Sequence, residues 1–293
     1  MDLLKLTPSE FKKIAGLVYE KTGIHIDEAK LSLLSNRLRK RLKALSLQTF
    51  EDYYRLLRNK EKYEEELPHF LSAVTTNETY FFRNDQLWTF FGEDLIKHFT
   101  EAKKAGNKSI RIWSAACSTG AEAYTTAILL RERLPNLRSW DVKIIGSDIS
   151  QNVLDAAKAG LYAEYAVSRT SKERIKKWFS RMDDKFQLKD EIRGMVEFKF
   201  HNLRDSFPNG RFDLIFLRNV LMYFDMKMKK RVVDVVCEAL APGGFLIIGD
   251  VDPVRTIPEL RNHMSLEYKR PGTYQKPISG SVKPQAKQEL VTK

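Results

Sequence analysis

The chain has 293 residues, 43% hydrophobic and 11% aromatic, which suffices for a sizeable core and excludes general disorder. Its formal charge of +12 points to nucleic acid, an anionic membrane or an acidic protein as partner. No run approaches the roughly 18 apolar residues that span a bilayer, and the N-terminus MDLLKLTPSEF has no basic segment leading into an apolar one, so a cytoplasmic protein without stable membrane insertion is expected. Two cysteines far apart and five histidines without ligand spacing argue against a disulfide framework or a metal site.

Thr7-Pro8-Ser9-Glu10 reads as a capping box with proline at the first helical position. Phe11, Ile14, Ala15 and Val18 then share one face, and Gly23 ends the helix. A second helix is predicted from Asp27, with Leu31, Leu34, Leu38, Leu42 and Leu45 in one narrow stripe. Lys30, Arg37, Arg39, Lys40, Arg41 and Lys43 fill the rest of its circumference, and no acid occurs between residues 29 and 50. Helical stretches near 49–59 and 61–73 complete an all-helical unit over 1–74, followed by a linker and lead-in helix over 75–109.

From residue 110 strand-like runs IRIWSA, VKIIGSD, MVEFKF, DLIFLRN and FLIIGD alternate with helical patterns. The prediction is a doubly wound α/β domain over 110–276, its mainly parallel sheet covered on both faces. Ala241-Pro242-Gly243-Gly244 reads as a tight turn into the FLIIGD strand, and LEYKRPGTYQK as a closing hairpin turning at Pro271-Gly272. Helical patterns near 150–159 and 171–180 precede KWFSRMDDKFQLKDEIRG, which suggests a small antiparallel excursion at about 177–197. Residues 277–293 read as a flexible basic tail.

The stretch IRIWSAACSTGAEAYTTAILL (110–130) opens like a nucleotide-binding unit, but its turn holds one glycine, Gly120, and Glu122 follows at once. A dinucleotide site uses several glycines to bring backbone against a pyrophosphate, which Glu122 would repel. What remains suits a nucleoside ligand that carries positive groups and no phosphate. S-adenosyl-L-methionine, with adenosine, a sulfonium and an ammonium, is such a ligand. Glu122 is then expected to face its cationic end, and Asp148, closing the second strand, to accept both ribose hydroxyls. The competing readings are a helix-capping acid and a turn residue.

TNETYFFR (76–83), IWSAACSTGAEAYT (112–125), GSDIS (146–150), HNL (201–203), FDLIFLRNVLMYF (212–224) and APGGFLIIGD (241–250) resemble the chemotaxis receptor methyltransferases, the CheR family, in order and from residue 8 to about 275. The resemblance implies an all-helical N-terminal domain, an S-adenosylmethionine methyltransferase sheet and an inserted antiparallel β-subdomain. It implies O-methylation of glutamates on the cytoplasmic bundle of methyl-accepting chemotaxis receptors, with S-adenosyl-L-homocysteine as by-product. It also implies cofactor contacts at Asn77, Thr79, Arg83, Glu122, Asp148, Asn202, Leu203, Arg218 and Asn219. Turn-capping is the competing reading for Asn202 and Asn219, and core packing the preferred one for Tyr80, Phe81 and Phe82.

Methyl transfer to a carboxylate is an in-line displacement, and glutamate is ionised at neutral pH, so no general base is needed. Arg83 is expected to orient the carboxylate or the cofactor through charge-assisted hydrogen bonds. Tyr223 is expected to reach the reacting groups from the other side, with core packing its rival role. Arg37, Arg39, Lys40 and Arg41 are expected to dock the acidic receptor by electrostatic steering. Family members that tether to a receptor pentapeptide carry a longer, glycine-containing loop than WFSRMDDKFQLKD, so pentapeptide-independent binding by a monomer is expected. A nucleic-acid methyltransferase is the main rival, though Arg218-Asn219-Val220-Leu221 lacks the prolines of the amino-methylating motif. A regulatory paralogue that only binds S-adenosylmethionine is another, and an NAD dehydrogenase the least favoured.

Overall fold

The computed structural model describes residues 4–103, 106, 108–208, 210–249, 254, 257–263 and 265–278. Beyond Ile278 the expected tail lies outside the described residues, as does the end of the FLIIGD run at Asp250.

The N-terminal unit forms as its caps dictate. Helix α1 (Pro8–Thr22) starts from a reciprocal box, the Thr7 hydroxyl accepting from the Glu10 N–H and the Glu10 carboxylate from the Thr7 N–H, and stops at Gly23 in the left-handed region. The helix expected from Asp27 is a single 3₁₀ turn capped by that residue, then α2 (Leu31–Ala44). Leu34, Leu38 and Leu42 of the stripe are buried; Leu31 and Leu45 lie at its margins. With α3 (Phe50–Arg58) and α4 (Lys60–Val74), α1 and α2 enclose a core that includes Ile14, Leu38, Phe50 and Phe70.

One charged group is drawn into that core. Glu66 is only 4% exposed, accepts Arg41 Nε at 2.9 Å and Nη2 at 2.6 Å, and takes the Tyr53 hydroxyl at 2.7 Å. Burial and the hydrogen bond to Glu66 push the Tyr53 hydroxyl well above its ordinary pKa, which keeps it a donor. Arg41 therefore holds its own domain together, an inward role beside the docking expected of it.

A linker leads to α5 (Asp85–Phe90), a π-helical turn (Phe91–Leu95) and α6 (Ile96–Ala102). The catalytic-type domain then lays down β1 (Ser109–Ala115), α7 (Ala121–Arg133), β2 (Asp141–Asp148), α8 (Gln151–Ala159), β3 (Leu161–Ala163), α9 (Glu164–Val167) and α10 (Lys172–Trp178). β4 (Phe179–Met182), β5 (Lys185–Leu188), α11 (Asp190–Arg193), β6 (Val196–Phe200), β7 (Phe212–Phe216), α12 (Met226–Ala239), β8 (Leu240–Ile247), α13 (Pro258–His263), β9 (Glu267–Arg270) and β10 (Thr273–Gln275) follow. The large sheet runs β6-β2-β1-β7-β8-β10-β9. Its first five strands are parallel, while β10 runs antiparallel to both β8 and β9.

Its central strands are apolar on both faces, as a doubly covered parallel sheet requires. Ile112, Ile144 and Leu214 pack on the α7 side, and Trp113, Ile145 and Ile215 on the α12 side. Two expectations change. The small antiparallel sheet, β3-β5-β4, begins at Leu161 and ends at Leu188 instead of lying at about 177–197, and 196–200 joins the edge of the large sheet as the MVEFKF run predicts. Residues 241–244 are a bulge inside β8, not a turn before it: Phe212 pairs with Leu240 and Leu214 already with Phe245, with Gly243 left-handed at φ 77°.

Arg41→Ala leaves the Glu66 carboxylate buried without its cation and is expected to cost on the order of 3 kcal/mol in urea denaturation. Lys40→Ala, on the exposed side of the same helix, is expected to stay within about 0.5 kcal/mol. Equal small losses would return Arg41 to the surface.

Candidate active site

The turn after β1 shows what its single glycine does. Ala116 (φ 58°), Ser118 (φ 51°) and Gly120 (φ 83°) are all left-handed, so two of three such positions carry a side chain, at a cost of order 1 kcal/mol each. Gly120 is the one that has no choice. A Cβ there would lie 2.8 Å from the Phe198 ring and 3.0 Å from Ala157 Cβ, so glycine serves both the backbone angle and the close packing of turn, α8 and β6. Hydrogen bonds fix the rest: Cys117 N–H to Ser147 O at 2.9 Å, Ser118 N–H to Asp148 Oδ2 at 2.9 Å, and the Tyr162 hydroxyl to Thr119 O at 2.8 Å.

Asp148 is 6% exposed, and its second oxygen accepts the Ser150 N–H at 3.0 Å. Burial pushes its carboxyl pKa up, and the backbone donors pull it partly back. Each oxygen keeps acceptor capacity for a further donor. Glu122 has partners of its own within the protein. Its Oε1 accepts the Ser114 hydroxyl at 2.7 Å and its Oε2 the Arg218 guanidinium at 3.0 Å, so its charge is already matched inside the protein. Arg218 also donates to Arg83 O at 3.0 Å and lies 5.9 Å from the Trp88 ring centre, while its buried Nε has no partner among the described residues.

The linker crosses the mouth. Asn77 O accepts the Ser118 hydroxyl at 2.7 Å, and Phe82 N–H reaches Thr125 Oγ1 at 3.2 Å. Phe82 (φ 57°) and Asn84 (φ 76°) bracket Arg83 with left-handed backbone. The Arg83 side chain is half-buried, 5.6 Å from the Tyr80 ring centre. Phe81 and Phe82 are core, as expected; Tyr80 is half-buried and lines the mouth.

The far wall joins both domains. Ile24 bridges Phe224, His25 N–H donates to Tyr223 O at 2.9 Å, and the Tyr19 hydroxyl donates to Asp225 Oδ2 at 2.9 Å. Asn202 belongs to this seam: its amide donates to Lys21 O at 2.9 Å and its oxygen accepts the Arg204 N–H at 3.3 Å. That is the turn-capping reading plus an interdomain tie. Asn219 is left-handed at φ 56°; Leu203 is buried and Tyr223 half-buried. Sequence reasoning missed Thr22 and Ile24, which also line the cavity; the alternation Ile24-His25-Ile26 after Gly23 was the available signal. It also passed over His201, packed on Trp113 and Phe207, whose pKa burial holds below the ordinary value.

Asn77, Thr79, Arg83, Glu122, Asp148, Asn202, Leu203, Arg218, Asn219 and Tyr223 thus meet around one open cavity. The docking residues lie apart from it. Arg37 donates to Val74 O at 3.1 Å and Thr76 Oγ1 at 2.9 Å, and Arg39 to Leu4 O at 3.3 Å; Lys40 is exposed. A shallow groove lined by Lys30, Leu33 and Arg37 shares Ile24, Val74, Thr76 and Tyr223 with the cavity.

Residues 77–270 match the family model "CheR methyltransferase, SAM binding domain" and residues 9–75 match "CheR methyltransferase, all-alpha domain". The chain belongs to the CheR methyltransferase family. A chemotaxis protein methyltransferase of Borreliella burgdorferi is 35% identical over 278 residues, 93% of this chain and 96% of that one. Chemotaxis protein methyltransferase 2 of Vibrio cholerae is 34% identical over 288 residues, 96% of this chain and 97% of that one. The cofactor of this CheR methyltransferase is S-adenosylmethionine, and the cavity fits it. Asp148 offers a buried acceptor for hydroxyl donors in the cavity wall, and the Glu122–Arg218 pair lines the same cavity.

Gly120→Ala combines a left-handed alanine with overpacking against Phe198 and is expected to cost roughly 2–4 kcal/mol. Gly16→Ala, mid-helix with open space at its Cβ, is expected to be neutral or stabilising by up to about 1 kcal/mol. Chemical denaturation midpoints distinguish the two.

Proposed function

We propose that this enzyme transfers a methyl group to glutamate side chains on the cytoplasmic helical bundle of chemoreceptors, giving glutamate methyl esters for adaptation. The observation that carries the reading is the convergence of linker, Gly120 turn and β7 end on one cavity that opens beside the basic helix α2. Bound S-adenosylmethionine supplies an electrophilic methyl on its sulfonium. The carboxylate–methyl C–O bond would form as the C–S bond breaks, its electron pair staying on sulfur in S-adenosyl-L-homocysteine.

In this reading the protein aligns two reactants and removes water, with no proton to move. Asp148 accepts the ribose hydroxyls on the lone pairs left by its two backbone donors. Glu122 and Arg218, fixed against each other, border the amino-acid end of the cofactor. Asn77, Thr79, Asn219 and Leu203 complete the cofactor walls, and Asn202 contributes by tying the wall to α1. Arg83 turns the incoming carboxylate toward the methyl, and Tyr223 borders it from the opposite side.

Receptor docking falls to the outer face of α2, where Lys40 is exposed and Arg39 half-buried, with Lys30 and Arg37 along the groove into the cavity. The enzyme acts as a cytoplasmic monomer without a pentapeptide tether; β4 and β5 are joined by a two-residue turn, Asp183-Asp184, that leaves little loop for one.

Incubation with methyl-labelled cofactor and receptor cytoplasmic fragments is expected to yield alkali-labile methyl ester; stable label in RNA or DNA would favour the nucleic-acid reading. In the same assay Arg83→Ala is expected to lose at least tenfold in kcat/KM, the weight of one charge-assisted contact, and wild-type turnover would remove Arg83 from the site.

Charge reversal at Lys30 and Lys40 is expected to raise KM for receptor several-fold, more at low than at high salt, without altering cofactor affinity. An unchanged KM sinks the docking face, and tight calorimetric binding of a receptor-tail pentapeptide would overturn untethered binding.

A further inference from the structure

The rim of the cavity carries an acid on the wrong side for an enzyme whose substrate is itself a carboxylate. Glu78 lines the mouth and is exposed. Its backbone carbonyl already accepts Arg83 Nη1 at 3.4 Å, so a rotation of the Glu78 side chain can bring its carboxylate to the Arg83 guanidinium. There it would compete with any substrate carboxylate for the same cation.

In the structure the Glu78 carboxylate is turned elsewhere. Its Oε1 accepts the Tyr165 hydroxyl at 2.6 Å, the length of an O–H donor on an ionised acceptor. That hydrogen bond raises the Tyr165 pKa, so the hydroxyl keeps its proton and remains a donor. The Tyr165 ring meets Tyr80 edge-on with centroids 5.9 Å apart, and Arg83 lies over the other partner, Tyr80. Tyr165 stands on α9, which is anchored to the linker by Phe81 N–H to Ala166 O at 2.9 Å, and the Phe81 ring packs on Tyr162 of the adjoining β3 and Phe179 of β4. The hydroxyl is therefore held at a fixed distance from the segment that carries Glu78 and Arg83.

We propose that Tyr165 is a specificity-determining residue: by donating to Glu78 it keeps that carboxylate off Arg83 and leaves the Arg83 charge for the substrate. The inference rests on the reading of Arg83 given above. Tyr165→Phe retains the ring contact with Tyr80 and removes only the hydroxyl. At saturating cofactor it raises KM for a receptor fragment about threefold to fivefold, the upper range of an exposed ion pair, and the increase shrinks at high salt. Adding Glu78→Gln restores the wild-type KM, because no competing carboxylate remains.

An unchanged KM in Tyr165→Phe, or an increase that Glu78→Gln leaves in place, overturns the proposal. In an Arg83→Ala background Tyr165→Phe has no further effect on KM, and a persistent effect there also overturns it. If Arg83→Ala alone leaves turnover and KM unchanged, it is the reading of Arg83 that falls, a result distinct from failure of the Tyr165 contact.

Discussion

The buried pair of Arg218 and Glu122, with side chains 3% and 13% exposed, is the interaction around which the cavity is arranged. Neither charge is tolerable there alone, so the segments that carry them have to meet. Arg218 stands just beyond β7 and Glu122 in the first turn of α7, where an acid also suits the helix dipole. Ser114 of β1 and the Arg83 carbonyl of the linker supply the remaining hydrogen bonds. Beside this self-cancelling pair the cavity lining carries two further charged groups, the Asp148 carboxylate, held by backbone N–H donors, and the Arg83 guanidinium.

Strain gathers on the same surfaces. Phe82, Asn84, Ala116, Ser118 and Asn219 are all left-handed without being glycine, and all belong to segments bordering the cavity. Such backbone persists where the surroundings over-determine it, and here the hydrogen bonds from Ser118 to Asn77, from Phe82 to Thr125 and from Phe81 to Ala166 do so. The helical domain takes part as well. Through Ile24 and His25 it pairs with the backbone at Phe224 and Tyr223, so the turn that carries Tyr223 depends on a domain far away in sequence. The helical unit is a wall of the cavity as well as a neighbour of it.

Local rules made much of this legible before any coordinates. The α1 capping box, the Gly23 stop, the apolar runs of β1, β2 and β7 and the acid closing β2 each depend on residues within a few positions of one another. What escaped depends on partners remote in sequence or on lengths too short for a pattern. The three-residue strand β3 has no alternation to detect, and its pairing with β5 is a tertiary event. Arg41 looked like one more cation on a basic face because Glu66, which claims it, stands two helices away. Glu122 looked free for a ligand because Arg218 is nearly a hundred residues on. The bulge at 241–244 carries good turn residues, and only the pairing of β8 with both β7 and β10 shows that the strand runs through them.

The absence of any required proton transfer moves the burden of specificity to the mouth. In the proposed reading a glutamate arrives ionised, and many carboxylates in a cell are equally so; reactivity alone does not select among them. Arg83 is half-buried and faces solvent, where a single charge attracts weakly because water and salt screen it. That attraction grows only when something covers the mouth and lowers the local dielectric. A free amino acid or a mobile tail cannot do so, whereas a rigid helical surface resting on α2 and spanning the groove toward Tyr223 can. In the proposed reading, the exposure of Arg83, which looks at first like a weakness in a substrate-orienting residue, would make methyl transfer conditional on docking.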